Sequence, residues 1–189
     1  MNWNVIASDV LAVADQVLNA MRPDVERVSG EITRRLKAGH KIMICGNGGS
    51  AADAQHIAGE LLNRFLKERK PYAGLALSTD TSTLTAIGND YGFEQVFEKQ
   101  VQGLGKPGDI LLAISTSGNA ANICRAAVAA RAGDIYTIAL TGGTGGKLAS
   151  LVDCCLNLSC TTSTPRIQEG HQLLFHLLCE RIEEMMEEG

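Results

Sequence analysis

Apolar residues recur at helical spacing through the first forty positions of the chain. Val10, Val13 and Val17 are separated by three or four residues, and Pro23 interrupts the pattern. A second periodic stretch spans residues 24–37. Because this spacing places side chains on one face of an α-helix, the pattern predicts two N-terminal helices, each with an apolar stripe.

After residue 40 the pattern changes to short, nearly continuous apolar runs, as is typical of strands that are covered on both faces. The runs occupy residues 41–45, 73–77, 109–115, 135–140 and 153–159. The segments of helical length between and after them are 50–66, 81–103 with a break near Gly88, 119–131, 146–151 and 166–187. The alternation predicts an α/β fold: a parallel five-stranded sheet sandwiched by helices. We expect an N-terminal helical arm (1–38) packed on a single domain (39–189).

In such sheets ligands bind at the carboxyl ends of the strands. One of the loops expected there is GNGGS at 46–50, where glycines allow close backbone approach and the following helix offers free N–H groups. Ser50 is a candidate N-cap of that helix. An ordinary capped turn would explain the string equally well. It matches neither the Walker phosphate loop nor the dinucleotide fingerprint, so a nucleoside triphosphatase and a dehydrogenase are rejected.

A second loop, STSGN at 115–119, places three consecutive hydroxyls and a glycine directly after a strand. The alternative is a polar turn in which Ser117 or Asn119 caps the next helix. Hydroxyl and backbone N–H donors at a helix start suit a phosphate monoester. Two such loops on neighbouring strands favour a small phosphorylated ligand.

The candidate acid–base groups lie on two predicted helices. His56 and Glu60 are four residues apart and therefore share one helical face, where they could bind a metal, act in proton transfer, or simply form an exposed pair. On the last helix, His171 leans towards an apolar stripe and is the better candidate for a packed histidine. His176 falls on the polar side and is the better candidate for chemistry.

Composition narrows the class of protein. The net charge of −4 gives no general attraction for nucleic acid or an anionic membrane, and the chain has no long apolar stretch or secretory signal. The six cysteines include no C-x-x-C pair, and several lie in or beside apolar runs. We therefore expect reduced, structural thiols and a cytoplasmic protein with no nucleic-acid or membrane partner.

Five ordered strings carry a resemblance that covers residues 10–185: CGNGGSAADAQHIAGEL, TAIGNDYGFEQVF, GDILLAISTSGNAANI, LTGGTGGKLA and RIQEGH. They resemble the successive motifs of bacterial phosphoheptose isomerases, members of the sugar isomerase (SIS) fold. The resemblance implies interconversion of D-sedoheptulose 7-phosphate and D-glycero-D-manno-heptose 7-phosphate through an enediol, the first step of ADP- or GDP-heptose synthesis for lipopolysaccharide or surface glycans. It also implies a homotetramer with interfacial active sites and one zinc ion per subunit.

The resemblance further implies roles for individual residues. Glu60 and His176 would be the catalytic pair. The metal ligands would be His56, Glu60, Gln168 and His176. The substrate contacts would be Asn47, Gly48, Gly49, Glu60, Asn89, Asp90, Ser115, Thr116, Ser117 and Gln168.

Two positions depart from the family's pattern, Ala120 where several relatives have serine and Pro165 where others often have a polar residue. Gln168 and His176 are also about 12 Å apart along a regular helix, so both reach one metal only if their side chains lean together, the helix starts late or a partner subunit contributes.

Particular features of the sequence distinguish the isomerase from other functions that the same fold supports. A related adaptor binds the replication initiator DnaA and lacks the catalytic glutamate and histidine, both of which stand here as Glu60 and His176. An isomerase of a pentose or hexose phosphate remains an alternative, because pocket shape sets the length of the sugar. A sugar-phosphate-sensing regulatory domain is disfavoured, since the chain carries no appended DNA-binding segment.

Overall fold

The structure is a computed structural model that describes residues 1–187. Its centre is a five-stranded, all-parallel sheet in the order β2-β1-β3-β4-β5. The strands are β1 (Ile42–Gly46), β2 (Gly74–Ala76), β3 (Ile110–Ile114), β4 (Tyr136–Gly142) and β5 (Cys154–Leu158). Every predicted apolar run forms a strand, and the α/β class is confirmed.

Seven α-helices within the described residues flank this sheet. They are α1 (Trp3–Asp15), α2 (Arg22–Lys37), α3 (Gly49–Leu62), α4 (Thr81–Tyr91), α5 (Val96–Leu104), α6 (Ala121–Ala132) and α7 (Thr164–Glu187). Shorter elements are a π-helical turn at Gln16–Ala20 and 3₁₀ turns at Phe93–Gln95 and Leu148–Ser150.

Three predicted helical segments differ from the structure. The helix predicted at 50–66 ends at Leu62, and the segment predicted at 146–151 contains only the 3₁₀ turn. The break expected near Gly88 lies at Gly92, which adopts a φ of 87° between α4 and the following 3₁₀ turn. This left-handed conformation suits glycine and ends a helix, whereas Gly88 lies inside α4. Sequence alone did not distinguish the two glycines, because the backbone conformation that ends the helix is not visible in the residue types.

Apolar cores cover both faces of the sheet. Strands β1 and β3 are buried along their whole length. One face packs against α1, α2, α3 and α7, and the other against α5 and α6. Val13 and Val17 of the N-terminal segment are buried in the first of these cores, although the division between an arm at 1–38 and a domain at 39–189 stays a prediction. Among residues 1–187, no helix combines the length and the apolar character that a membrane crossing requires.

The strand order creates a crevice between β1 and β3. From β1 the chain crosses to β2 on one side, whereas β3 leads to β4 on the other. Because parallel crossovers are right-handed, the helices that follow β1 and β3 lie on opposite faces of the sheet. The loops at 46–50 and 115–119 therefore flank the point at which ligands bind in open α/β sheets.

Candidate active site

The turn at residues 46–50 is built by glycines in distinct roles. Gly48 has a φ of 56° and is the N-cap of α3, which begins at Gly49. The prediction that Ser50 caps this helix is wrong: Ser50 lies buried in the first turn. A side chain at Gly46 would overlap the Ser50 carbonyl, so the strand and helix meet as closely as their backbones allow.

Asn47 ties this turn to α6. Its side-chain nitrogen donates to Oδ1 of Asn122 at 2.9 Å, and the Asn122 nitrogen donates back to Oδ1 of Asn47 at 2.8 Å. Asn122 is only 4% exposed, so the reciprocal pair is largely shielded from water. The pair fixes the turn after β1 relative to the helix that follows β3, which makes the two glycine-rich loops one unit.

The loop at 115–119 is equally constrained. Gly118 has a φ of 63°, and its carbonyl accepts a hydrogen bond from the Leu148 N–H at 2.9 Å. The Asn119 amide nitrogen donates to the Ser117 carbonyl at 2.9 Å. Neither Ser117 nor Asn119 is the N-cap of α6, since that position belongs to Ala120.

The three hydroxyl residues of this loop differ in exposure. Ser115 is buried, Thr116 is half-buried and Ser117 is exposed. The Ser117 hydroxyl also accepts from the Asn119 N–H at 3.2 Å. The loop thus carries one buried, one half-buried and one exposed hydroxyl residue next to the start of α6.

Three titratable side chains converge between α3 and α7. One ligand atom from each of His56, Glu60 and His176 lies within 4.8 Å of the other two. His56 Nε2 lies 2.9 Å from Glu60 Oε1, and the His56 and His176 rings meet edge to face at 5.1 Å. The His56 side chain is 44% exposed and that of Glu60 23%, so the cluster is open to solvent.

Two phenylalanines line this cluster. The Phe65 ring stacks on His176 with centroids 5.6 Å apart, and Phe175 meets His176 edge to face at 4.6 Å. Phe175 also lies 5.1 Å from His56. Aromatic packing of this kind restricts the orientation of both imidazoles.

Gln168 of α7 lies beside the turn that follows β1. Gln168 rests against Gly49, where any side chain on the glycine would overlap the Gln168 amide nitrogen. The helix already begins at Thr164, so the late start considered from the sequence does not occur. Gln168 as a fourth metal ligand stays a prediction.

Asn89 and Asp90 also lie away from the His56 cluster. They bond to each other at 2.8 Å near the exposed end of α4. The partly buried apolar residues Leu84 and Ile87 of α4 pack into the core on the face opposite α7. Substrate contact by Asn89 and Asp90 stays a prediction.

Two buried titratable groups lie near the cluster. Burial raises the pKa of Asp53, against the opposing effects of the Gln172 amide, at 3.5 Å, and of His56. Burial lowers the pKa of His171 to about 4, although its Nε2 lies 3.0 Å from the Thr141 carbonyl oxygen. Among the described residues, Asp53 Oδ2 and His171 Nδ1 have no hydrogen-bond partner. The packed role predicted for His171 is confirmed, since the residue is fully buried.

Sequence reasoning missed Phe65 and Asn122. Asn122 could have been suspected as the second asparagine of STSGNAAN, beside the predicted loop. Phe65 carries no sequence signal, because its contact with His176 joins segments that are distant along the chain.

The cluster fits a zinc ion. Two histidines and one glutamate are a donor set of catalytic zinc sites, which keep a fourth position for water, substrate or another ligand. Donor atoms around tetrahedral zinc lie about 3.4 Å from one another. The donor atoms of His56, Glu60 and His176 all lie within 4.8 Å of one another, which is close to that spacing.

The chain is similar to known proteins over nearly its whole length. The SIS domain family matches residues 7–142. The phosphoheptose isomerase of Rhodospirillum rubrum is 52% identical over 164 residues, which cover 87% of this chain and 87% of that protein.

Two solved structures are similar in fold and sequence. Phosphoheptose isomerase GmhA from Neisseria gonorrhoeae superposes with a TM-score of 0.89 at 43% identity, covering 96% of both chains. A phosphoheptose isomerase from Francisella tularensis gives a TM-score of 0.91 at 39% identity, again covering 96% of both.

Proposed function

The chain belongs to the phosphoheptose isomerases of the SIS domain family, and we propose that it interconverts D-sedoheptulose 7-phosphate and D-glycero-D-manno-heptose 7-phosphate. The observation that carries the proposal is the convergence of Glu60 with His176 between α3 and α7. An aldose–ketose isomerase needs one group that removes a carbon-bound proton and another that manages the proton on oxygen, and a carboxylate and an imidazole can do both, whereas a non-catalytic adaptor of the same fold does not require them.

The substrate phosphate binds at the loop 115–119. The hydroxyls of Ser115, Thr116 and Ser117 and the N–H groups at the start of α6 supply donors without a formal positive charge. The turn containing Asn47, Gly48 and Gly49, which is tied to α6 through Asn122, contacts the sugar. Gln168, Asn89 and Asp90 complete the proposed substrate contacts.

The reaction moves a proton between adjacent carbons through an enediol. Glu60 removes the carbon-bound proton and, after exchange with solvent, delivers a proton to the neighbouring carbon, while His176 transfers the proton between the two oxygens. His56 Nε2 lies 2.9 Å from Oε1 of Glu60 and therefore helps to orient this carboxylate. The edge-to-face contact with Phe175 and the stack on Phe65 restrict the orientation of the His176 ring.

One zinc ion per chain would be held by His56, Glu60 and His176, with Gln168 as the fourth ligand. A bound zinc would hold these side chains together and, on accepting the substrate oxygen as a further ligand, would polarise the carbonyl. The donor set and its spacing support this assignment.

Assembly into a homotetramer with interfacial sites is supported by exposed apolar side chains on two helices. No residue of α4 is buried, and Tyr91 at its end is 54% exposed. On α1, Trp3 is 74% exposed and Leu11 68%. Sedimentation equilibrium should give the mass of four chains, and a monomer at micromolar concentration would contradict the proposal.

We place the activity in the cytoplasm, where its product feeds heptose synthesis for lipopolysaccharide or surface glycans. The six cysteines are free thiols, which suits a reducing compartment. Burial raises the pKa of Cys45 and Cys179 to about 12, so both stay protonated and inert.

A panel of ketose phosphates of different chain length tests the substrate. Purified protein should convert sedoheptulose 7-phosphate and show much lower kcat/KM for pentose and hexose phosphates. Glu60→Gln should abolish turnover, whereas the matched variant Glu68→Gln, at a side chain 92% exposed, should leave it intact. Preferred turnover of a shorter sugar would overturn the substrate assignment, and full activity of Glu60→Gln would overturn the mechanism.

A further inference from the structure

The segment between α3 and β2, residues 63–73, is anchored to α7 by a single buried carboxylate. Glu183 is 2% exposed. It accepts hydrogen bonds from three successive backbone N–H groups, those of Phe65 at 3.3 Å and of Leu66 and Lys67 at 3.0 Å. Three backbone donors of a segment without regular secondary structure are thus satisfied by one side chain from the last helix.

Arg69 completes the anchor. Its Nε donates to Glu183 at 2.9 Å, and its terminal nitrogens donate to the carbonyls of Glu60 at 2.7 Å and Leu61 at 3.0 Å. The guanidinium also lies 3.8 Å from the centroid of the Tyr72 ring. The segment is therefore bound both to α7 and to the last turn of α3, which carries Glu60.

The charge of Glu183 is part of this arrangement. Burial acts to raise its pKa, but the Leu66 N–H, Arg69 and the neighbouring N–H groups together hold the pKa below its ordinary value. The carboxylate is consequently ionised at neutral pH, where it accepts all four bonds.

The anchor determines where the Phe65 ring lies. The Phe65 N–H is one of the donors to Glu183, and its ring stacks on His176 with planes inclined by 26°. Phe175 and His56 contact the same imidazole edge to face, at 4.6 Å and 5.1 Å. Of these three neighbours, Phe65 alone stacks on the imidazole with its plane close to parallel, and its backbone is bound by Glu183, seven residues beyond His176 on α7.

We propose that Glu183 is a positioning residue for the isomerisation: by anchoring residues 65–69 on α7, it holds Phe65 against His176 and fixes the plane of that imidazole. The inference rests on the function proposed above. Glu183 touches no reacting atom and acts through Phe65. Loss of the anchor should lower kcat and leave substrate affinity nearly unchanged, because the proposed phosphate loop lies elsewhere in the fold.

The variant Glu183→Gln tests this role against a matched control. Glu187 lies one helical turn further on and reaches the same segment, but only through the exposed Lys67 amine at 2.6 Å. In the purified full chain, Glu183→Gln should lower kcat about tenfold or more with KM within about twofold, since small misplacements of catalytic groups have effects of this size. Glu187→Gln should match the wild type.

A spectroscopic signature separates positioning from general loss of structure and does not require turnover. In protein labelled with ¹³C at histidine Cε1, the His176 resonance should carry a ring-current shift from Phe65. The shift should disappear in Glu183→Gln and Phe65→Leu and persist in Glu187→Gln. Phe65→Tyr, which keeps the ring, should restore both the shift and the kcat lost in Phe65→Leu.

Two results would overturn the inference: wild-type kcat in Glu183→Gln or Phe65→Leu, or a His176 resonance that neither variant moves. Should Glu183→Gln fail to fold, the comparison of Phe65→Leu with Phe65→Tyr decides the question. Absence of heptose phosphate turnover in the wild type would instead refute the proposed function, and the resonance shift would still report the anchor.

Discussion

Gly118 joins the loop at 115–119 to the loop that follows β4, and alanine at this position should disrupt both. Its φ of 63° is left-handed. An added Cβ would overlap the Gly145 carbonyl, which belongs to backbone and cannot rotate away. The two loops would have to move apart, which would lengthen the 2.9 Å hydrogen bond from the Leu148 N–H to the Gly118 carbonyl.

The magnitude follows from three effects. A left-handed conformation costs alanine about 1–2 kcal/mol. Overpacking a tight contact costs about 1–3 kcal/mol, and a weakened backbone hydrogen bond about 1 kcal/mol. Gly118→Ala should therefore lower the free energy of unfolding by about 4 kcal/mol, which corresponds to a fall of about 10 °C in melting temperature for a chain of this size.

Gly30→Ala is the matched control. Gly30 lies inside α2 with nothing within 4 Å of an added Cβ, so alanine there should stabilise the protein by about 0.5–1 kcal/mol. Both variants and the wild type are compared by urea denaturation and thermal melting at one protein concentration, because assembly makes stability depend on concentration. Equal stability of Gly118→Ala and Gly30→Ala would refute the claim that the two loops interlock through glycine.

Three further predictions concern the metal, the buried histidine and the asparagine pair. Equilibrium dialysis should find one zinc per chain in the wild type and much weaker binding in His56→Ala and His176→Ala, and unchanged binding would contradict the ligand set. Because the pKa of His171 is about 4 in the fold against 6.5 ordinarily, the unfolded chain binds this proton first as the pH falls. The free energy of unfolding should then drop by about 3 kcal/mol between pH 6.5 and 4, and His171→Leu should lack that part of the pH dependence. If the free energy of unfolding of the two proteins fell in parallel with pH, His171 would not be the titrating group. Asn122→Ala leaves the side-chain nitrogen and oxygen of Asn47 without their partners and should lower the free energy of unfolding by about 1–3 kcal/mol, as measured by denaturation. The same variant should raise KM. A wild-type KM would show that the asparagine pair does not contribute to substrate binding.

The fold could be predicted from the sequence because its strands are continuous apolar runs with helices between them. Errors arose where a backbone conformation decides between similar residues. Gly92 rather than Gly88 ends α4, and Gly48 rather than Ser50 caps α3. Gly92 and Gly48 both adopt a positive φ, which the residue types alone do not reveal.

The candidate site could be predicted from the sequence only in part. Helical spacing paired His56 with Glu60, but His176 joined them only through the resemblance to a family. Phe65 and Glu183 escaped notice because a stacked ring and a buried carboxylate that accepts backbone N–H groups leave no periodic pattern. Such contacts are set by the packing of α7 against the segment after α3.

Hydrogen exchange during turnover tests the central claim most directly. Sedoheptulose 7-phosphate is incubated in deuterium oxide with wild-type protein or with Glu60→Gln, and NMR follows deuterium at the two carbons that exchange a proton. The wild type should form the aldose heptose 7-phosphate and introduce deuterium at these carbons, and Glu60→Gln should do neither while keeping its fold. Undiminished exchange and turnover in Glu60→Gln, or a wild type that neither exchanges nor isomerises this substrate, would contradict the account.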